Sequence, residues 1–215
     1  MATEEKLPKS RLSGRKAEAS ANDTRVLTTA RAVLTAAPDT PMAQIAARAG
    51  VGVGSLYRRY PSKEALVRRL CLDGMNAISM AARTSLAEID DDPWHAFVAF
   101  LHRAVDAGAG SLRGLAGTFH PDDQLDTAAT TMSSLMQELL TRAQAAGAVR
   151  DDITTTDVGL LFEMLRAIRV GDNTRSDALR QRYIDLLTPA LRAPASNKLA
   201  QPPATWLEIA AAWNP

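Results

Sequence analysis

The sequence predicts an all-α protein with a small basic helical unit at its N-terminal end and a larger acidic helical body after it. Helix-favouring Ala, Leu, Arg, Met and Glu dominate from residue 23 onward, and no alternating β-branched run exceeds a few residues. Between Pro and Gly breaks, apolar residues recur at helical spacing. Charge divides unevenly. Residues 1–72 carry 13 Lys/Arg against 6 Asp/Glu, a net of +7, and the remainder carries 12 against 18, a net of −6. A basic head on an acidic body suggests an anion-binding end joined to a part with another task.

Residues 1–22 are polar and basic without periodicity and read as a disordered arm. The first helix is expected to open at an Asn22 or Asp23 cap, with Val26, Ala30, Val33, Leu34 and Ala37 on one face, and to break at Pro38. Thr40 and Pro41 read as the N-cap and first residue of a short helix over 42–49, which Gly50 stops. A second short helix over 53–59 ends at Tyr60-Pro61. Ser62 caps a long helix with Glu64 and Glu88 near its two ends. "DDDPW" (90–94) opens the next, to about Ala107, because carboxylates and Pro suit a helix N-terminus. A Gly-rich linker (108–123) precedes a helix or helix pair to Ala146, closed by Gly147. "TTTD" (154–157) caps a helix to about Val170, "GDNTRSD" turns the chain, and a last long helix runs to about Leu191. The tail is Pro-rich, then weakly amphipathic.

Several function classes drop out. The single Cys71 rules out a disulfide framework, fits a reducing compartment and reads as a small buried hydrophobe. The N-terminal residues lack the apolar stretch of a secretory signal, and nowhere do about 18 apolar residues run together. A cytoplasmic protein without a membrane partner is expected. No C-x-x-C, H-E-x-x-H or G-x-S-x-G motif occurs, and the acidic runs at 90–92, 122–123 and 151–152 sit at helix starts or loops. No catalytic residue is expected. His95 and His102 share one helix face about 10 Å apart, too far for one ion, and His120 lies after the linker. No metal and no cofactor is implied.

The stretch "AGVGVGSLYRRYPSKEAL" (49–66) looks at first like a phosphate loop. A dinucleotide fingerprint needs glycines at i, i+2 and i+5 after a strand. Counting from Gly50, Ser55 stands at the third place, and the preceding "MAQIAARA" is helical. Lys63 fits no G-x-x-x-x-G-K-[ST] arrangement either. The stretch fits a helix-turn-helix instead. Gly50 supplies the positive φ of the turn, Ala46 lets the second helix approach, and Ile45, Val51 and Leu56 plug the interior, with Gly52 as cap. Val53, Gly54 and Ser55 then open a recognition helix, small enough for close approach to base edges in a major groove. Tyr57, Arg58, Arg59 and Lys63 suit phosphates, as does Thr40 at the start of the preceding helix. The plainer reading makes Tyr57 a packed aromatic and Arg58 and Arg59 a solvated face. Lys6, Lys9, Arg11, Arg15 and Lys16 read either as an arm along the minor groove or as a solubilising tail.

"MAQIAARAGVGVGSLYRRYPSKEALV" resembles the DNA-binding signature of the TetR/AcrR family of bacterial transcriptional regulators, over roughly residues 23–70. Ile45-Ala46, Ala49-Gly50-Val51, Gly54, Leu56-Tyr57 and the run Tyr60 to Glu64 carry the likeness. Departures are Gly52 where Ser or Thr is usual, Arg59 for His, Tyr60 for Phe, and Leu34 in place of an aromatic. The resemblance implies an N-terminal three-helix helix-turn-helix domain joined to a C-terminal helical ligand-binding and dimerisation domain. Its expected bounds are 1–22 for the arm, 23–68, 69–192 and a 193–215 tail. It further implies a homodimer on a palindromic double-stranded DNA operator, acting as a repressor that a small-molecule effector releases.

The resemblance places the dimer interface on the last two long helices. Val158, Leu161, Phe162 and Leu165 stripe one, and Leu179, Tyr183, Leu186 and Leu187 the other, although the same stripes suit a monomer core. It also places an effector pocket in the C-terminal helices, where Met75, Ile78, Trp94, Phe97, Val98, Leu101, His102, Val105, Phe119, Met132, Leu135 and Met136 are candidates. Such a stripe equally suits core. The competing reading is a helical small-molecule-binding protein with a non-specific or vestigial DNA-binding head.

Overall fold

The computed structural model describes residues 9–110, 122–195 and 197–211. In chain order its α-helices are α1 (Lys9–Ala36), α2 (Met42–Ala49), α3 (Val53–Arg59), α4 (Lys63–Glu88), α5 (Pro93–Asp106), α6 (Asp123–Ala145), α7 (Thr155–Arg166), α8 (Asn173–Leu187) and α9 (Trp206–Ala211), and a 3-10 turn (Thr188–Leu191) prolongs α8. Among the described residues there is no strand, only an isolated antiparallel bridge between Val149 and Arg192. None of the described helices is long and apolar enough to cross a membrane.

The caps explain most boundaries. Ser62, Asp92, Asp122, Thr154 and Asp172 each accept a backbone N–H three residues ahead, at 2.8–3.4 Å, which satisfies one orphan donor per helix start. Asp157 completes a capping box with Thr154. At the other end, Gly147 (φ 66°) closes α6 as a left-handed residue: its N–H reaches Gln144 O, and the Ala148 N–H reaches Ala143 O. Three expectations are corrected. The first helix opens at Lys9, not at a cap near Asn22, because the expected arm is rich in Ala, Lys, Arg and Glu, and Gly14 costs a helix only about 1 kcal/mol. Residues 1–8 of that arm lie outside the described residues. The helix after "TTTD" ends at Arg166, short of Val170, and α8 tightens into 3-10 geometry at Thr188-Pro189, where Pro lacks the N–H to continue.

The chain forms two compact units, residues 1–66 and 67–215. In the first, Val26, Ala30, Val33 and Leu34 of α1, Met42, Ile45, Ala46 and Ala49 of α2, and Leu56 of α3 are buried. In the second, one continuous core joins Ala81, Ala82, Phe97, Phe100, Leu101, Leu139, Leu140, Val158, Phe162, Leu165 and Ile184. Phe100 and Phe162 meet edge to face with ring centres 6.1 Å apart, a favoured aromatic geometry. Polar ties fasten this body. The Arg103 guanidinium makes two 2.8 Å bonds to the Glu88 carboxylate, which holds that carboxyl below its ordinary range. His102 on α5 meets Gln181 and Asp185 of α8.

The C-terminal segment is strapped down as well. Ala193 N–H donates to Ala148 O at 3.1 Å, and Arg150 N–H to Leu191 O at 3.0 Å. The buried Arg150 side chain pairs with Asp152 and donates to Ala190 O and Asn197 O, while Asp152 also accepts Leu199 N–H at 3.0 Å. The Arg150 bonds, then that backbone N–H, hold the Asp152 carboxyl well below the usual carboxylate range.

Candidate nucleic-acid interface

Four residues decide how α3 is presented. Gly50 takes φ 67°, ψ 33°, a left-handed conformation that costs other residues about 1–2 kcal/mol. From it the Gly50 N–H reaches Ala47 O at 3.2 Å and the Val51 N–H reaches Ala46 O at 3.0 Å, which satisfies two of the last carbonyls of α2. Gly52 then caps α3 without a side-chain bond, and Leu56 is its one buried side chain. The geometry comes from backbone bonds and one apolar plug. The outer face of α3 is left for other work.

On that face Val53, Gly54, Ser55, Tyr57, Arg58 and Arg59 are all exposed. Open space surrounds the place where a Cβ on Gly54 would sit. Lys63 follows as the first residue of α4, half-buried. The structure therefore gathers seven of the eight residues expected to meet DNA around one short helix and the start of the next. Tyr57, at 46% exposure, is not a packed aromatic.

Thr40 is the exception, and it needs two corrections. Pro41, not Thr40, is the N-cap of α2. The Thr40 hydroxyl donates to Ala37 O at 2.8 Å, and the residue is only 6% exposed, so it closes the turn after α1. One contributor escaped the sequence reading. Asp23 on α1 accepts the Tyr60 O–H at 2.7 Å and lies 3.1 Å from Arg59 Nη1 through the same oxygen, Oδ1.

In the second unit, the expected interface and pocket residues separate by depth. Val158, Leu161, Phe162 and Leu165, expected at the interface, are buried in the core of the single chain. Leu179 is half-buried, and Tyr183, Leu186 and Leu187 of α8 are exposed, as is Met164 on the outer face of α7. Among the pocket candidates, Phe97 and Leu101 are fully buried core. Ile78, Trp94, Val105, Leu135 and Met136 pack against that core half-buried, and Met75, Val98, His102 and Met132 are half-buried too. Trp94 lies under the Arg192 guanidinium at 5.1 Å, and His102 is engaged by α8. Phe119 and His120 fall outside the described residues, as do Lys6 and the side chains of Lys9, Arg11, Arg15 and Lys16. Among the described residues no three His, Cys, Asp or Glu side chains gather as a metal site.

Two family models match the chain. One, described as "Bacterial regulatory proteins, tetR family", covers residues 27–70, and the other, "Transcriptional regulator SbtR-like, C-terminal domain", covers residues 92–193. No curated protein matches. Among solved structures, the chain is similar to a TetR transcription regulatory protein from Mycobacterium vanbaalenii, with 29% identity over 83% of this chain and 99% of that one, at a TM-score of 0.52. It is similar to a TetR transcriptional regulator from Streptomyces coelicolor, with 27% identity over 81% and 99% and a TM-score of 0.54. The TetR-like regulator LfrR from Mycobacterium smegmatis, solved with proflavine, shares the fold at 17% identity over 84% and 99%, with a TM-score of 0.58.

Proposed function

Because the chain belongs to the TetR family, and so is a DNA-binding transcription regulator and not an enzyme, we propose that it is a homodimeric repressor released from a palindromic operator by a small-molecule effector. One observation carries the reading of its DNA face: α3 buries Leu56 alone and turns Val53, Gly54, Ser55, Tyr57, Arg58 and Arg59 outward. Val53, Gly54 and Ser55 at the helix start approach base edges, and Tyr57, Arg58, Arg59 and Lys63 hold phosphates. We divide the chain at 23–68 and 69–192 into DNA-binding and effector-dimerisation domains, with 193–215 as a tail.

Dimerisation falls to the outward residues of the last helices, Met164 on α7 with Tyr183, Leu186 and Leu187 on α8, meeting their copies across a two-fold axis. The effector pocket falls to half-buried side chains of α4, α5 and α6, namely Met75, Ile78, Val98, Val105, Met132, Leu135 and Met136. Flexible Met side chains there suit an apolar effector that parts them on entry. Effector and operator then oppose each other through a coupling free energy of about 1–3 kcal/mol.

The test is selection of bound duplexes from a random pool, repeated with Tyr57→Ala and Arg59→Ala. An enriched inverted repeat, bound more weakly by both variants and with a salt slope reduced by about one for Arg59→Ala, supports the reading. Enrichment without a palindrome, or variants that bind like the wild type, overturns it.

A further inference from the structure

From the shared contact of Tyr60 and Arg59 with one carboxylate oxygen, we infer that Asp23 is a positioning residue for DNA binding: it sets the Arg59 guanidinium in place on α3 before the duplex arrives. Asp23 lies on α1, far in sequence from both partners. The Tyr60 O–H donates to its Oδ1 at 2.7 Å, and Arg59 Nη1 lies 3.1 Å from the same atom. Tyr60 is buried and ends α3, with its N–H donating to Leu56 O at 2.8 Å. Its phenol therefore ties the carboxylate to a rigid ring, and the carboxylate in turn holds one edge of the guanidinium.

An arginine left to itself samples many rotamers, and ordering it costs affinity when a phosphate captures it. Here part of that ordering is present in the unbound protein. The Arg59 side chain still keeps 43% of its surface, enough to meet a phosphate oxygen, whereas that of Asp23 keeps 20%. The carboxylate is the more covered partner and the cation the more open one, so the contact can orient Arg59 and still leave it surface for a phosphate.

The inference rests on Arg59 as a phosphate ligand, and the experiment separates the two claims. Binding to a short duplex carrying the enriched inverted repeat is measured for the wild type, Asp23→Ala, Asp23→Asn, Arg59→Ala and the Asp23→Ala/Arg59→Ala pair, at several salt concentrations. Asp23→Asn keeps an oxygen acceptor for both donors and removes the charge. Positioning gives about 3- to 10-fold weaker binding for Asp23→Ala, recovery in Asp23→Asn, and no effect of Asp23→Ala once Arg59 is gone. If Asp23→Ala does not fold, Asp23→Glu takes its place: the charge is kept, the acceptor moves by one methylene, and binding weakens. Tighter binding by Asp23→Ala and Asp23→Asn alike makes Asp23 a competitor of the DNA and overturns the inference. An Asp23→Ala loss that persists without Arg59 marks a merely structural role and also overturns it. If Arg59→Ala binds like the wild type, both claims fall; if it weakens binding while Asp23→Ala does not, only this one does.

Discussion

The short helix α3 and the longer α7 solve opposite problems with the same kinds of residue. Of its seven residues, α3 buries one, whereas α7, with twelve, buries Val158, Leu161, Phe162 and Leu165. A helix with one buried plug has little apolar material to misread, and what remains outside is surface available for contact. A helix with two apolar sets offers a choice. On α7 the continuous stripe belongs to the core, and the outward Met164 stands apart from it. Apolar periodicity thus locates the core of a helix before it locates any interface.

The largest test of that contrast is Phe162→Ala. As a core residue packed against Phe100, its loss is expected to cost about 3–5 kcal/mol in urea unfolding. A variant that merely dissociates with an unchanged midpoint would return Phe162 to an interface. Next comes Leu186→Asp on the exposed face of α8. An unpaired carboxylate in a dimer contact is expected to weaken association by about 2 kcal/mol or more, seen as monomers in sedimentation. A stable Leu186→Asp dimer would move the contact off α8.

Two glycines of the DNA-binding unit sharpen the contrast with opposite signs. Gly50→Ala forces a side chain into left-handed backbone and is expected to destabilise by about 1–2 kcal/mol. Gly54→Ala meets open space inside a helix and is expected to stabilise by about 0.5–1 kcal/mol while changing DNA affinity, because the new methyl lies on the face proposed to meet bases. Thermal melts and binding curves on the two variants separate fold from reading surface.

The smallest global effect belongs to the C-terminal strap. The Asp152 carboxyl titrates below its unfolded value, so its contribution is complete above the ordinary Asp range of about 3.9 and is lost only as pH falls toward the depressed folded value. Protection of the Leu199 amide from hydrogen exchange should therefore hold at about pH 5 and fade in stronger acid. Asp152→Asn should loosen the strap at neutral pH, seen as faster tryptic cleavage after the exposed Lys198. Equal cleavage would show that the backbone bonds suffice without the ion pair.

Several helix caps and the helix-turn-helix were legible in residue types alone, because Asp92 and Thr154 act on atoms only three residues away. What escaped depends on distance in sequence or on balance. Arg59 and Tyr60 could be noted as unusual in their motif, but the carboxylate they share lies more than thirty residues upstream, where Asp23 looked like a cap. Thr40 had the right chemistry for a cap and found a nearer carbonyl. The start of α1 eluded a periodicity reading because its first residues carry helix propensity without an apolar face. The pocket candidates mixed core with margin, since Met and aromatic residues at helical spacing serve both.

The turn at Gly50 has a corollary. Its two backbone bonds and the Leu56 plug hold α3 without help from Val53, Gly54, Ser55, Tyr57 or Arg58. Substitutions at those five positions change the chemistry displayed to a duplex while leaving the foundations of the helix untouched. If those positions meet DNA as proposed, single substitutions there are expected to change the preferred duplex while the helix keeps its place.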